Sequence, residues 1–340
     1  MKKVAINGFG RIGRAFFRIA FGREDMQIVA INDPFITPDV AQYLLVHDSV
    51  YHRYGREVTS NEKGITIGKT HDSNGTFIPF FAKKNPKDLP WGKEGIDLVI
   101  ESTGHFLEPD KATLHVEAGA KRVLLSAPPK KDGGSIPQIV YGVNDKEVDL
   151  KEHKIVSAAS CTTNSLVPVA HVLEREFGIV HAFLTTVHGY TGDQRLVDAP
   201  HDKISRRRAA AINIIPTTTG AAVATGKVIP SLVGKMDGIA FRVPVPTGSV
   251  SDFTVELKKN VKKEDVNDAF RSYAKKDRLV GILGVSAEPI VSTDIIGESR
   301  ASIVDLTMTK VVDNRLVKVV TFYDNEWGYT NQLVRVASIL

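Results

Sequence analysis

The run Val4-Ala5-Ile6-Asn7, followed without a break by Gly8-Phe9-Gly10-Arg11-Ile12-Gly13, leaves the chain few ways to fold. A β-type stretch enters three glycines at the G-x-G-x-x-G spacing. Helical patterning then covers residues 14–21, with Ile12, Phe16, Ile19 and Ala20 apolar. A second strand, residues 27–32, ends at Asp33, 20 positions past the last glycine. Strand, glycine turn, helix, strand and acid together make the dinucleotide-binding fingerprint. Gly8 permits the tight turn, Gly10 lets backbone approach a pyrophosphate, and Gly13 lets helix and strand pack closely. The phosphates sit on unpaired N–H groups at the helix N-terminus. Asp33 can accept hydrogen bonds from both ribose hydroxyls of NAD and would repel the extra phosphate of NADP.

The patterning that follows keeps to this plan. Residues 39–46 suit a short helix. Residues 56–81 turn β in character, with turn signals at Asn61-Glu62-Lys63-Gly64 and Asp72-Ser73-Asn74-Gly75, as antiparallel strands inserted in or flanking a parallel sheet. Residues 96–101 resume a buried strand that ends at Ser102-Thr103-Gly104. Residues 109–118 form a helix closed by Gly119, and residues 121–125 a strand that ends at Ser126-Ala127-Pro128. Small hydroxyl residues at such strand ends fit ligand contacts. Residues 138–143 and 154–159 complete this half.

The only cysteine, Cys161, stands in Ser160-Cys161-Thr162-Thr163-Asn164. A short strand precedes it, and Leu166, Val169, Leu173 and Phe177 recur at helical spacing until Gly178. Cys161 therefore falls near a helix N-terminus, where unpaired N–H groups and the helix dipole favour a thiolate. Pro168 must kink this helix or push its regular part downstream. One cysteine excludes an intramolecular disulfide framework and a cysteine-based zinc cluster. No metal site is expected.

Beyond it the texture changes. Residues 179–187 read as a strand that delivers His188 to a loop opening with Gly189, well placed to face a cleft. Residues 195–215 lack periodicity and hold the basic run Arg206-Arg207-Arg208. Thr217-Thr218-Thr219-Gly220 caps a helix through residue 228. Residues 238–243, 249–257, 301–309 and 316–323 are strands, with a hairpin turn at Asp313-Asn314. Residues 263–275 and 325–339 are helices. Strands with segregated helices argue an α+β domain with a mixed or antiparallel sheet. The expected organisation is an α/β, Rossmann-type doubly wound parallel sheet over residues 1–160, completed by the C-terminal helix 325–340. Residues 161–324 form the catalytic and oligomerisation domain.

A net charge of +5 suits phosphorylated small molecules as well as nucleic acid, and the basic run lacks the interleaved aromatics of a nucleic-acid platform. Nucleic acid is not expected as the primary role. No apolar run approaches the roughly 20 residues that cross a bilayer, so no membrane role is expected and the cytoplasm is the default location.

At this point the sequence resembles the phosphorylating glyceraldehyde-3-phosphate dehydrogenase family almost from end to end. The resemblance is carried by the glycine motif with Arg14, by Glu101-Ser102-Thr103-Gly104 and by Ser160-Cys161-Thr162-Thr163-Asn164. It continues in Asn213-Ile214-Ile215-Pro216, Thr219-Gly220-Ala221-Ala222, Phe241-Arg242-Val243-Pro244 and Tyr323-Asp324-Asn325-Glu326-Trp327-Gly328-Tyr329. It implies NAD-dependent oxidative phosphorylation of glyceraldehyde 3-phosphate to 1,3-bisphosphoglycerate, with Cys161 as nucleophile and His188 as its base. It assigns Thr191 and Arg242 to the substrate's phosphate, and Ser160, Arg206, Thr219 and Gly220 to inorganic phosphate, with Thr162 beside the acyl group. For the cofactor it assigns Asn7, Arg11, Ile12, Asp33, Ser126 and Asn325 alongside Gly8, Gly10 and Gly13. Lys84 stands where an arginine is more usual. It also implies a homotetramer.

The sequence departs from the family pattern at Ser165, often a second cysteine, and at Ala199-Pro200, where NAD-specific relatives often have Leu-Pro. Two alternatives stand beside the main reading: an erythrose-4-phosphate dehydrogenase and an NADP-preferring enzyme of the same kind.

Overall fold

The structure, a computed structural model, describes residues 1–68, 75–130 and 135–340. The expected turn residues Asp72, Ser73 and Asn74 lie outside the described residues. The chain folds as two compact units. One comprises Met1–Ile139, Glu147–Ala159 and Leu333–Leu340, the other Val140–Lys146 and Ser160–Gln332.

The first unit contains strands β1 (Lys2–Asn7), β2 (Met26–Asn32), β3 (Glu57–Asn61), β4 (Gly64–Gly68), β5 (Thr76–Phe81), β6 (Leu98–Glu101), β7 (Arg122–Leu125) and β8 (Ile155–Ser157). Its helices are α1 (Arg11–Ala20), α2 (Pro38–Val46), the single turn α3 (Trp91–Glu94) and α4 (Pro109–Glu117). The strands form one sheet in the order β3-β4-β5-β2-β1-β6-β7-β8. From β5 to β8 it is parallel, and β3, β4 and β5 pair antiparallel at its edge. Val4, Ala5 and Ile6 are fully buried, which is why β1 reads as an unbroken apolar run: helices cover both faces of the sheet. β1 pairs with β2 on one side and β6 on the other, so the strand order reverses where Gly8 begins. In open parallel sheets that crevice is where ligands bind.

The second unit contains α5 (Cys161–Phe177), β9 (Ile179–Gly189), β10 (Ile215–Thr218), α6 (Ala221–Val228), β11 (Met236–Val243), β12 (Ser249–Leu257), α7 (Lys263–Lys275), β13 (Leu283–Ser286), β14 (Ser302–Val312), β15 (Leu316–Tyr323) and the start of α8 (Trp327–Ile339), which passes to the first unit from Leu333. Its sheet runs β10-β11-β9-β12-β15-β14-β13 and is mixed, parallel at β11–β9 and at β13–β14. β12 alternates buried and half-buried along its length, the mark of a sheet with one covered face. Asp313 and Asn314 both take positive φ, 49° and 55°, the left-handed backbone of a primed turn, within the three residues that join β14 to β15.

Four local expectations need correction. Residues 138–143 are not a strand: Gln138 makes one isolated bridge to Ser157, and the chain from Val140 turns into the second unit. Pro168 does not push the regular helix downstream, because α5 runs from Cys161 through it to Phe177. Leu166, Val167, Val169 and Ala170 are fully buried around it, and tertiary packing outweighs the lost hydrogen bond. Thr217 and Thr218 lie in β10, paired with Ala240 and Ile239, which leaves Gly220 at the N-cap of α6. Helix α1 begins at Arg11, straight off the glycine turn.

Candidate active site

In the first unit the glycine turn is shaped by contact. Gly8 has φ 94°, and a Cβ there would lie 2.7 Å from the Thr103 nitrogen; one on Gly13 would lie 2.1 Å from the Gly8 oxygen. Around Gly10 there is open space. Helix α1 starts beside it with no side-chain cap and no acid in its first turn, and the positive end of a helix dipole favours an anion there. A cavity of about 370 Å³ opens here, lined by Asn7, Gly8, Gly10, Asp33, Lys84 and Thr103 among others. Asp33 is held by its own surroundings, Oδ2 accepting from Phe9 N at 2.9 Å and Oδ1 from Phe35 N at 3.0 Å. A carboxylate keeps lone pairs beyond these two for ribose hydroxyls. The residues present fit a dinucleotide.

Not every cofactor residue assigned from the resemblance lines this cavity. Arg11 spends its guanidinium on Asp48, Nη1 to Oδ2 at 2.5 Å, and lies over the Tyr51 ring. Ile12 and Gly13 belong to the first turn of α1, and Ser126 directly follows β7, its N–H donating to Glu101 O. Asn325 lies in the second unit, where Oδ1 accepts from Ser249 Oγ at 2.9 Å and Gly248 N at 3.1 Å.

In the second unit Cys161 is the first residue of α5, and Ser160 caps the helix, its Oγ accepting from Thr163 N at 3.1 Å. The chain enters through Ala159, fully buried at φ 56°, a left-handed conformation that L-residues with a Cβ adopt at a cost. His188 comes from β9, and its Nε2 lies 3.4 Å from Cys161 Sγ. On the other side of the ring, Nδ1 faces Gly189 O at 2.6 Å. A carbonyl only accepts, so Nδ1 carries the proton and Nε2 is free to take the one on sulfur.

Charge and burial set how this pair behaves. Burial pushes the Cys161 thiol up, and the Arg242 charge and the helix-start donors pull against it. His188 is lowered to about 3, by burial first and Arg242 second. Both shifts favour the neutral pair at rest, thiol to imidazole, with the ion pair one proton transfer away along a hydrogen bond already formed. Arg242 Nη1 donates to Gly189 O at 3.2 Å and Thr191 Oγ1 at 3.3 Å. Burial and then Arg206 depress Arg242 in turn, so an anion that neutralises these cations would be welcome.

Arg206 donates to Asp193 Oδ2 at 2.6 Å and Thr217 Oγ1 at 3.2 Å. The rest of the basic run is also engaged locally, Arg207 with His201 O and Arg208 with Asp198. Thr219 Oγ1 accepts from Ala221 N, beside the open space at Gly220. Distances thus join Cys161, His188, Thr191 and Arg242 in one cluster. Arg206 stands near enough for its charge to act on both His188 and Arg242.

Sequence reasoning missed Tyr323. Its hydroxyl lies 2.9 Å from Thr162 Oγ1 and 2.8 Å from Thr186 Oγ1, and its ring packs edge-on to His188. Three elements distant in the chain meet there, so no local pattern announces it. Asp193, partner of Arg206 and His201, was signalled only by its place five residues after His188. No cluster of metal-ligating side chains occurs among the described residues.

Residues 2–109 match the family model described as glyceraldehyde 3-phosphate dehydrogenase, NAD binding domain, and residues 160–325 match its C-terminal domain. The chain is 49% identical to a glyceraldehyde-3-phosphate dehydrogenase of Streptomyces coelicolor over 334 residues, 98% of this chain and 96% of the relative. It is 47% identical to one of Geobacillus stearothermophilus over 338 residues, 99% and 98% of the two chains. Against one of Borreliella burgdorferi the identity is 49% over 344 aligned positions, 99% of each chain.

Proposed function

The chain belongs to the glyceraldehyde-3-phosphate dehydrogenase family of NAD-dependent oxidoreductases, and from that premise we propose that it oxidises glyceraldehyde 3-phosphate to 1,3-bisphosphoglycerate, with Cys161 as nucleophile. The observation that carries the reading is the thiol–imidazole pair, Sγ to Nε2 at 3.4 Å, with Arg242 beside it.

His188 Nε2 takes the thiol proton, Sγ forms a bond to the aldehyde carbon, and Nε2 returns that proton to the carbonyl oxygen, giving a hemithioacetal. Bound NAD supplies the hydride acceptor for the oxidation. Nε2 receives the proton of the hemithioacetal hydroxyl, and Cys161 is left carrying a thioester. Inorganic phosphate then attacks the acyl carbon, the C–S bond breaks, and Cys161 leaves as thiolate. A thioester keeps enough of the oxidation energy to form an acyl phosphate, where a serine ester would be a poorer donor. Arg242 and Thr191 are the proposed holders of the substrate's phosphate. Ser160, Arg206, Thr219 and Gly220 are those of inorganic phosphate, and Thr162 stands beside the acyl group.

A homotetramer is the proposed assembly. Phe183 and Ile239 lie exposed on one face of the second sheet, and Leu196, Val197, Ile204 and Ile212 are exposed in the 195–215 loop. Apolar side chains gathered this way call for a covering partner. A native mass near the 37.2 kDa of one chain would contradict it. A reducing compartment, the cytoplasm, suits a chain whose one cysteine must stay a thiol.

The test follows absorbance at the reduced-nicotinamide band with glyceraldehyde 3-phosphate and NAD, with and without phosphate. Sustained, phosphate-dependent reduction is expected, and its absence would overturn the reading.

A further inference from the structure

Two hydrogen-bonded chains of buried side chains, one starting at the wall of the dinucleotide cavity, end on a single carboxylate. Lys83 N donates to Asn32 Oδ1 at 2.9 Å, Asn32 Nδ2 to Asn7 Oδ1 at 2.7 Å, and Asn7 Nδ2 to Glu101 Oε2 at 2.5 Å. On the other side, Trp91 Nε1 lies 3.1 Å from His115 Nδ1. An indole nitrogen only donates, so Nδ1 accepts and the ring proton sits on Nε2, which faces Glu101 Oε2 at 3.2 Å. Thr103 adds two donors to Oε1, its backbone N–H at 2.8 Å and its hydroxyl. Every partner of Glu101 is thus a donor, and Glu101, His115 and Trp91 have no exposed surface at all. The oxygens are arranged to accept, as a carboxylate does.

The direction of both chains is fixed. Trp91 cannot accept, and the Lys83 N–H cannot either, so the bonds can only run toward Glu101. We infer that Glu101 is a positioning residue for dinucleotide binding, a reading that rests on the NAD function proposed above. As the common terminal acceptor it matches the one direction open to the chains, so it keeps the Asn7 and Asn32 amides as they point and holds the turn at Thr103. All three of these residues line the cavity. Asn32 directly precedes Asp33, the ribose acceptor, so its amide orientation bears on that carboxylate.

A glutamine at 101 would offer one carbonyl and one amide. With the carbonyl kept on Thr103, the amide hydrogens face Asn7 Nδ2 and the His115 Nε2 proton. Asn7 must then turn over, which sets its oxygen toward Glu101→Gln and its nitrogen toward Asn32 Nδ2. Asn32 turns in consequence and loses its pairing with Lys83 N and O. The disturbance travels to the cavity wall without any change in side-chain volume.

The experiment titrates the parent and Glu101→Gln with NAD by tryptophan fluorescence. Thermal midpoint and the iodoacetamide rate of Cys161 without NAD are measured alongside. NAD binding about tenfold weaker is expected, the loss of roughly one charge-assisted hydrogen bond, with the alkylation rate unchanged. Leu89→Ala serves as the stability control, since Leu89 packs in the cluster around Trp91 and makes none of these bonds. It should melt earlier and bind NAD as the parent does. Parent-like NAD binding by folded Glu101→Gln would overturn the inference, and so would an equal loss in Leu89→Ala. If Glu101→Gln does not fold, Asn32→Ala replaces it, with weaker NAD binding expected and parent-like binding again decisive against. A parent that binds no NAD would instead sink the NAD reading itself.

Discussion

Arg242 Nη1 lies 3.1 Å from His188 Nδ1, a contact between two donors that both turn toward the Gly189 carbonyl. The guanidinium therefore stands against the imidazolium that the proposed reaction would form. An anion on Arg242 would relieve this, so if Arg242 holds the substrate's phosphate as proposed, binding would raise the basicity of His188.

Arg242→Gln removes that charge but leaves burial, the larger cause of the depressed His188 value, in place. In a Cys161→Ser background, the His188 ring should titrate upward from about 3 by about one unit in nitrogen-edited NMR. The same substitution in the active enzyme should raise the KM for glyceraldehyde 3-phosphate at least roughly tenfold, the worth of a charged hydrogen bond. An unmoved ring titration would show that the charge is screened from the imidazole.

His188→Asn should slow alkylation of Cys161 by iodoacetamide at pH 7 by roughly 10²-fold, because the thiol loses its proton acceptor while burial goes on opposing the thiolate. Turnover should fall by a similar factor or more. Alkylation at the parent rate would mean that the helix start and Arg242 suffice to ionise the sulfur.

The dinucleotide half was legible because its instructions are local: glycine spacing, an apolar β1 and Asp33 sit within one short stretch, and parallel strands buried on both faces show as apolar runs. Strand and helix ends gave the positions of Cys161 and His188, and the family resemblance gave their proposed roles. What escaped was set by pairing across distance. β10 and β13 are four-residue strands whose place in the sheet comes from β11 and β14. Tyr323 reaches Thr162 from 161 positions away. Glu101 stood in a recognised motif, yet its role depends on His115 and Trp91, which no spacing rule joins to it.

Acid stability should carry the signature of His188. Its value is lowered from 6.5 to about 3 in the folded chain, so between those limits the unfolded state binds a proton that the native state refuses. Stability then rises with pH across this window and falls as pH drops through it, by up to about 1.4 kcal/mol per pH unit from this one group. Urea unfolding midpoints of the parent and of His188→Gln, compared from pH 6.5 to pH 4.5, should diverge, the parent losing more. Parallel curves would show that the buried ring finds a way to be protonated without unfolding.

Asp33→Asn tests cofactor choice. Each Asp33 oxygen already holds one backbone N–H, from Phe9 and from Phe35, and the carboxylate's negative charge is what opposes a 2′-phosphate. Asparagine keeps the shape and removes the charge, with one backbone donor left facing an amide nitrogen. The ribose loses an acceptor, so kcat/KM with NAD should fall about tenfold, roughly one hydrogen bond to a charged group. Repulsion of NADP falls with it, and Lys83 and Lys84 already line the same cavity with positive charge. The ratio of NADP to NAD efficiency should therefore rise by more than the NAD loss alone. Steady-state rates with both cofactors measure it. A ratio that stays fixed would mean that the loop near Ala199, rather than Asp33, decides which dinucleotide is used.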